Sequence, residues 1–529
     1  MFNRIFKMLN YLKLKSSNQK AKKGKKNIEK IPRSIQDIKE RLKELFEDSS
    51  DFVMREVVLG NESNIEVIIA HIDGLTDRKS VNNNIVKPLI LESRDTELDK
   101  DLNQSNIIEI LKDNILSASE LSEVKDFQKS LHAMLSGDTI IYIDGTEIAL
   151  KVGMREWESR GVTEPDTESV VRGPREGFTE TLRTNTTLLR RKIKNSNLKF
   201  ENITLGEKTN TDVAICYVKG LANEDILKTV RRRVKKIKID SILESGYIEE
   251  FIEDAPLSIF PTVGNSEKPD IVAAKILEGR VAILCDGTPF VLTVPHLFIE
   301  SIQSSEDYYA RPYFSSLLRI LRGLALFITT IFPAFYVALV TFHQTVIPFK
   351  LLLTVAASRD GIPFSAFTET LMMGLTFELL REAGVRMPRP IGQAVSIVGA
   401  LVLGQAAVEA GVASNPVIMV TALTAISSFI LPALGGVIPL IRIIMLITAN
   451  IIGLLGISLT GVVILIHLCT LRSFGVPYLV PFAPLAGMEL KDTFIRLPLW
   501  LMWRRPHDLI EDDREAAYRM NVDIKTKED

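Results

Sequence analysis

Between residues 323 and 349 the chain carries no Asp, Glu, Lys or Arg. This run, GLALFITTIFPAFYVALVTFHQTVIPF, constrains the fold more than any motif does, because it is long enough to cross about 30 Å of hydrocarbon at about 1.5 Å per helical residue. Three further apolar runs follow, at 390–408, 417–434 and 443–471. Between the first two lies FSAFTETLMMGLTFELLREAGVRMPRP, in which Glu369, Glu378, Arg381 and Glu382 make an independent lipid-facing span costly. Residues 363–383 are therefore expected to form an interfacial or re-entrant amphipathic helix. Arg319 and Arg322 precede the first run, and Arg472, Arg496, Arg504 and Arg505 follow the last. Cytoplasmic loops favour Lys and Arg, so both termini are expected in the cytoplasm with an even number of crossings, most simply four. Lys350, Arg359, Arg386 and Arg389 would then lie outside or at the interface, which leaves a different crossing number open.

Hydrophobic residues make up 46% of the 529-residue chain, and nearly all the excess lies after residue 320. Residues 1 to 310 read as charged globular sequence, so the net charge of -1 averages two unlike halves. Cys216, Cys285 and Cys469 stand apart in apolar runs, which fits buried free thiols better than disulfides or zinc ligands. The six histidines show no metal-binding spacing. No metal or cofactor is expected, and no nucleophile and base stand at a recognisable spacing, so the expectation is a protein that is not an enzyme. The first 33 residues hold eleven Lys and Arg against one Glu and lack the apolar core of a signal peptide. This tail is expected to be largely extended. Phe2, Ile5, Phe6, Leu9 and Leu12 would give its start an amphipathic face for anionic lipid, the alternative being a solvated tail. No nucleic-acid reading module follows it.

The soluble half repeats itself. GDTIIYIDGTEIALKV, from Gly137, returns as GRVAILCDGTPFVLTV, from Gly279, with seven of sixteen positions identical. LGNESNIEVIIAHIDGL, from Leu59, is echoed by LGEKTNTDVAICYVKGL, from Leu205. Two echoes at nearly one spacing, 142 and 146 residues, are explained by tandem duplication. Asp-Gly between apolar runs is a hairpin signal, because Gly takes positive φ cheaply and Asp bonds local backbone. Neither copy has a second catalytic group nearby, so Asp144-Gly145-Thr146 and Asp286-Gly287-Thr288 read as matching turns.

The linker contains VVRGPREGFTETLRTNTTLLRRKI, in which Pro174 can start a helix. Arg172 and Arg175 beside it would hold an anion at that helix N-terminus, or pair with acidic residues as a contact between surfaces. The run PIGQAVSIVGALVLGQAAVEAG is rich in small residues and carries Gln393, Ser396, Gln405 and Glu409. Val395, Val398, Val402, Gln405 and Glu409 share one helical face. In a ring of helices that face would make an apolar constriction with an acidic mouth; the alternative is a helix–helix seam.

The resulting expectation is a soluble region of α+β or α/β class, made of two duplicated subdomains joined by helices, then an all-α multi-pass membrane domain. Its parts are a tail at 1–33, subdomains at 34–152 and 197–310, a helical linker at 153–196, a membrane domain at 311–471 and a cytoplasmic tail at 472–529.

VVRGPREGF, EGRVAILCDGTPFVLTVP, SSEDYY, TFELLREAGVRMPRPIGQAVSIVGALVLGQAAVEAG and SFGVPYLVPFAP with a later RLP carry a resemblance from about residue 35 to 500. They resemble the A subunits of GerA-type spore germination receptors, with the SpoVAF-like proteins as a close paralogous group. The resemblance implies a multi-pass protein of the spore inner membrane, with its soluble region on the core side. It implies a permease-like B subunit and a lipoprotein C subunit as partners, and self-association as a ring, a pentamer, around a germinant-gated cation pore. The face from Val395 to Glu409 would then line the pore. A secondary transporter and a non-conducting scaffold of the same complex are the competing readings; the transporter is disfavoured by the absence of a repeat within the membrane half.

Overall fold

The computed structural model describes residues 29–60, 64–91, 107–112, 121–154, 168, 170, 172–387, 402–486 and 489–502. The chain divides into two compact units, Met1–Arg160 with Thr186–Glu201, and Gly161–Asn185 with Asn202–Asp529.

In the first unit, helix α1 (Ile35–Leu45) leads into strands β1 (Phe52–Leu59) and β2 (Ile65–Ile72). After helical turns at 78–91 come β3 (Leu121–Val124), α2 (Phe127–Met134), β4 (Thr139–Ile143) and β5 (Ala149–Val152). The sheet order is β1-β2-β4-β5-β3, with antiparallel ladders. Strand β2 is apolar on both faces because helices cover both. Ile68, Ala70 and Ile72 pack with Ile38 of α1 and Phe127 of α2, while Val67 and Ile69 pack with Ile85 and Leu89.

The second repeat has the same order of parts. Helix α3 (Leu182–Lys192) stands before β6 (Leu198–Leu205) as α1 stands before β1. Then follow β7 (Thr211–Val218), α4 (Glu224–Lys236), α5 (Ser245–Ile252), β8 (Gly264–Ser266), α6 (Pro269–Leu277), β9 (Val281–Cys285) and β10 (Val291–Val294). The sheet order β6-β7-β9-β10-β8 reproduces that of the first repeat strand for strand. Ladders β7–β9, β9–β10 and β10–β8 are antiparallel, so the class is α+β rather than α/β with a parallel sheet.

The two Asp-Gly-Thr turns do the same work in each repeat. Asp144 Oδ1 accepts the N–H of Ile35, the first residue of α1, at 3.0 Å, and Asp286 Oδ1 accepts the N–H of Leu182, the first residue of α3, at 2.8 Å. Gly145 N–H donates to Arg33 O at 2.8 Å and Gly287 N–H to Glu180 O at 2.7 Å. Both glycines sit at positive φ, 80° and 87°. Each Asp supplies a helix N-terminus with an acceptor and a negative charge from across the fold.

The helical region departs from the expected spans. The uncharged run at 323–349 is divided among α7 (Pro312–Thr330), α8 (Phe332–Thr341) and the start of α9 (Phe349–Ser358). Pro333 in the first turn of α8 has no N–H to give the preceding turn, which breaks the helix at Ile331. The acidic segment forms α10 (Ala366–Arg386). The run at 417–434 yields α11 (Asn415–Ser428), whose 14 residues rise only about 21 Å, less than the roughly 30 Å hydrocarbon thickness. Most of the run at 390–408 lies outside the described residues.

The last run forms α12 (Val437–Thr470), which is broken at Ile452 and Gly453 (φ 62°, ψ −140°). Thr460 Oγ1 lies 3.0 Å from Thr448 Oγ1. An unbroken helix would separate residues twelve apart by about 18 Å, so the two arms fold back on each other at Gly453. Gly456 makes this possible, since a Cβ there would fall 2.2 Å from Thr448 O. The expected single span at 443–471 is thus corrected to a helical hairpin. Among the described residues, Pro312–Thr330 and Val437–Thr470 are apolar and long enough by residue count to cross a membrane, although the second is divided between the two arms of the hairpin.

Candidate functional site

Of the expected pore-lining residues, Val395 and Val398 lie outside the described residues. Val402 is 56% exposed, and Gln405 and Glu409 are exposed on the same helical stretch. Gln405 Nε2 donates to Glu409 Oε1 at 2.9 Å, one turn apart. Arg172 and Arg175 are both exposed, and the backbone N–H of Arg172 donates to Glu306 Oε1 at 3.3 Å. No helix starts at Pro174: α3 begins at Leu182, and its first N–H is already taken by Asp286. The linker arginines therefore lack the helix N-terminus that an anion site there required.

The acidic residues that made 363–383 an unlikely lipid-facing span are tied inward. Glu369 is fully buried; its Oε2 accepts from Ser414 Oγ at 2.8 Å and Ser414 N at 3.0 Å, and its Oε1 lies 3.1 Å from Arg359. Glu378 bridges Arg442 of α12 at 2.5 Å and Arg381 at 2.6 Å. Carboxylates inside an apolar layer persist only when paired and hydrogen-bonded, and both are. They fasten α10 to the ends of α9 and α11 and to the first arm of α12.

A second polar cluster joins the second repeat to the helices. Arg319, on the second turn of α7, is completely buried. Its Nε donates to Asp307 Oδ2 at 2.8 Å, and one terminal nitrogen donates to Asp492 Oδ1 at 2.7 Å, Asp492 O at 2.8 Å and Thr493 O at 2.9 Å. Arg322 also reaches Asp307, at 2.7 Å. Tyr308 OH donates to Asp492 and Tyr309 OH to Asp270 at 2.6 Å. Burial, with Asp492 and Glu278 nearby, holds the Tyr308 hydroxyl well above its usual range, so it stays a donor. Arg496 completes the ring, donating to Ala310 O at 3.0 Å with its guanidinium over the Tyr308 ring. Arg319 and Arg322, read from sequence as charges flanking a span, are structural members of this collar.

The chain leaving α12 is clamped to the same repeat. Ser473 Oγ donates to Thr262 O at 2.6 Å and accepts from His296 N at 2.9 Å. Phe474 N–H donates to Asp254, and Arg233 covers the Phe474 ring at 4.6 Å. Phe298 N–H donates to Tyr478 O at 3.0 Å. Beside this clamp Glu300 bonds Arg280 and Lys275. Burial would raise the Glu300 carboxyl, but Arg280, Lys275 and His296 hold it well below the usual carboxylate range.

Sequence reasoning did not find Arg319, Asp492 or Ser473 as a unit, although each lies in or beside a motif already singled out. SSEDYY supplies Asp307, Tyr308 and Tyr309, SFGVPYLVPFAP supplies Ser473, Phe474 and Tyr478, and RLP supplies Arg496. A usable signal was the concentration of Asp and Tyr next to an apolar helix, where unpaired charge is costly. Among the described residues, no group of three or more His, Cys, Asp or Glu is placed to hold a metal ion.

Two duplicated α+β repeats, the second of them held through a buried ionic collar to helices apolar enough to enter a membrane, define the class of protein. This chain belongs to the Bacillus/Clostridium GerA spore germination protein family, whose model matches residues 40–508, and its role is in spore germination. It is 44% identical to spore germination protein KA of Bacillus subtilis over 88% of this chain and 85% of that one. It is 38% identical to spore germination protein GerLA of Bacillus cereus, covering 88% and 93% respectively. A crystal structure of the N-terminal domain of the A subunit of the Bacillus megaterium spore germinant receptor GerK3 aligns with 52% of this chain and 99% of that chain, at 34% identity and a TM-score of 0.41.

Proposed function

We propose that this chain is the A subunit of a nutrient-germinant receptor of the spore inner membrane and that its copies form a ring, a pentamer, around a gated path for cations. A permease-like B subunit and a lipoprotein C subunit complete the receptor, and the soluble region faces the core. The basic N-terminal tail, whose residues 1–28 lie outside those described, would bind anionic lipid. The observation that carries the reading is the collar of Arg319, Asp307 and Asp492. It ties α7 by ion pairs to the segments at 306–309 and 489–496, and Tyr309 bonds Asp270 of the second repeat, so a displacement of that repeat is passed to the helices without a slack linker. The exposed face of Val402, Gln405 and Glu409 supports a pore wall contributed by each copy. Moving a closed-open equilibrium from 1:99 to 99:1 takes on the order of 5 kcal/mol, which a ring divides among its members.

The test is conductance of the receptor reconstituted in planar bilayers, with Val402→Ala and Glu409→Gln beside the parent. A germinant-independent leak in Val402→Ala and a changed cation preference in Glu409→Gln are expected. Germinant-coupled uptake without conductance would assign a transporter instead, and neither activity would leave a scaffold.

A further inference from the structure

The second repeat carries an apolar edge that the receptor reading does not use. On α5 and the turn before it, Leu243, Tyr247 and Phe251 recur every four residues and are all exposed. Beyond the helix, Leu257 is 101% exposed at the tip of a loop, with Ile259 two residues on. Acidic residues punctuate this stretch, yet most are turned inward. Asp254 pairs with Arg233 and accepts from Phe474 N–H, and Glu253 accepts from Thr262 N–H at 3.2 Å.

The position of this edge is set by its neighbours. Ser258 Oγ lies 2.9 Å from His467 Nε2, in the last turn of α12, and Phe260 belongs to the core formed by α8 and α12. Ile466, adjacent to His467, is 59% exposed, so the outward apolar surface of the second arm runs up to the level of the Leu257 loop. From Gly453 to His467 the arm rises about 21 Å, most of a hydrocarbon layer of about 30 Å. With the arm embedded tip-first from Gly453, a loop level with His467 lies toward the boundary between acyl chains and headgroups. Aromatic side chains with one polar end suit that depth, as Tyr247 does, and the wholly apolar Phe251 stands one turn further on.

We propose that the segment from Leu243 to Ile259 is a lipid-interface anchor of the second repeat, with Leu257 and Phe251 inserted at the headgroup boundary. The inference rests on the reading that α12 lies in a bilayer. It gives the soluble region a sliding contact with the membrane surface beside the collar, independent of any partner chain.

The test uses the full chain in phosphatidylcholine nanodiscs, with Cys469→Ser to remove the exposed native thiol. An environment-sensitive fluorophore is placed on Leu257→Cys, on Ile466→Cys as a membrane reference, and on Lys228→Cys as a soluble reference. The expected result is a blue-shifted emission at 257, quenched more by shallow than by deep doxyl lipids, with 228 open to iodide. If 466 is quenched by doxyl lipid while 257 is as open to iodide as 228, the anchor is refuted and the membrane reading stands. If 466 is not quenched, the membrane reading fails first. Protection of 257 that disappears when each nanodisc holds a single copy would assign the edge to a second chain and overturn the proposal.

Discussion

Replacing Arg319 by Ala tests the collar most directly. The side chain is fully buried and donates to two carboxylates and two carbonyls, of Asp307, Asp492 and Thr493. Its removal leaves Asp307, itself 1% exposed, with Arg322 and the Ser304 N–H, and takes a donor from Thr493 O and from Asp492 O, the latter keeping Gln303 Nε2. Breaking one partner out of a buried ion pair costs about 3–5 kcal/mol, against about 0.2–1 for an exposed pair. The exposed pair of Arg386 with Glu382 is an internal control, with side chains 77% and 64% accessible. Purified full-length chain in detergent, followed by equilibrium denaturation and by limited proteolysis of the segment at 489–502, should show Arg319→Ala several-fold more destabilising than Arg386→Ala, with early cleavage near Asp492. Arg322→Ala should fall between them, since Arg319 still neutralises Asp307. Equal effects of Arg319→Ala and Arg386→Ala, with unchanged cleavage, would refute the collar as the joint between repeat and helices.

Three other outcomes follow from the same geometry. Asp144→Ala and Asp286→Ala should each cost about 1 kcal/mol in chemical denaturation, the usual loss of a helix N-terminal acceptor, and the two should add because they lie in different repeats. Cysteines at Thr448 and Thr460, with Cys469→Ser, should cross-link rapidly on mild oxidation, as only a folded-back helix allows. Adding Gly453→Ala should slow that cross-link, because a Cβ there sits at positive φ and 3.0 Å from His343 Nε2. Burial, with Glu253 beside it, pushes the Glu249 carboxyl up to about 7 from 4.5. The folded chain then holds a proton that the unfolded chain has released, so this contribution to stability is present at acid pH and is lost as pH rises through about 7. Glu249→Gln should therefore be more stable than the parent at pH 8 and lose that advantage by pH 4, as read from denaturation midpoints.

The duplication was legible in the sequence because turn chemistry is local. An Asp-Gly pair between apolar runs specifies its hairpin wherever it sits, and two copies at one spacing imply two copies of the surrounding unit. Identical strand order in both sheets agrees with this. What the turn residues accomplish was not legible, since the helix starts capped by Asp144 and Asp286 lie more than a hundred positions away in the chain. The costliness of Glu369 and Glu378 in lipid was also readable, but their partners Ser414 and Arg442 were not.

Hydropathy located the apolar helices and misjudged their course. It sums side chains along a window and is blind to direction, so a run with Gly453 in its middle reads as one span although the chain turns back there. It likewise reads Arg319 as a charge at the edge of a span, because whether a guanidinium is solvated or buried depends on where Asp307 and Asp492 arrive. Composition, period and turn residues act over a few positions and so decide which elements exist. The pairing of buried charges and the reversal of a helix are settled by groups distant in sequence, whose desolvation is repaid only when folding brings them together.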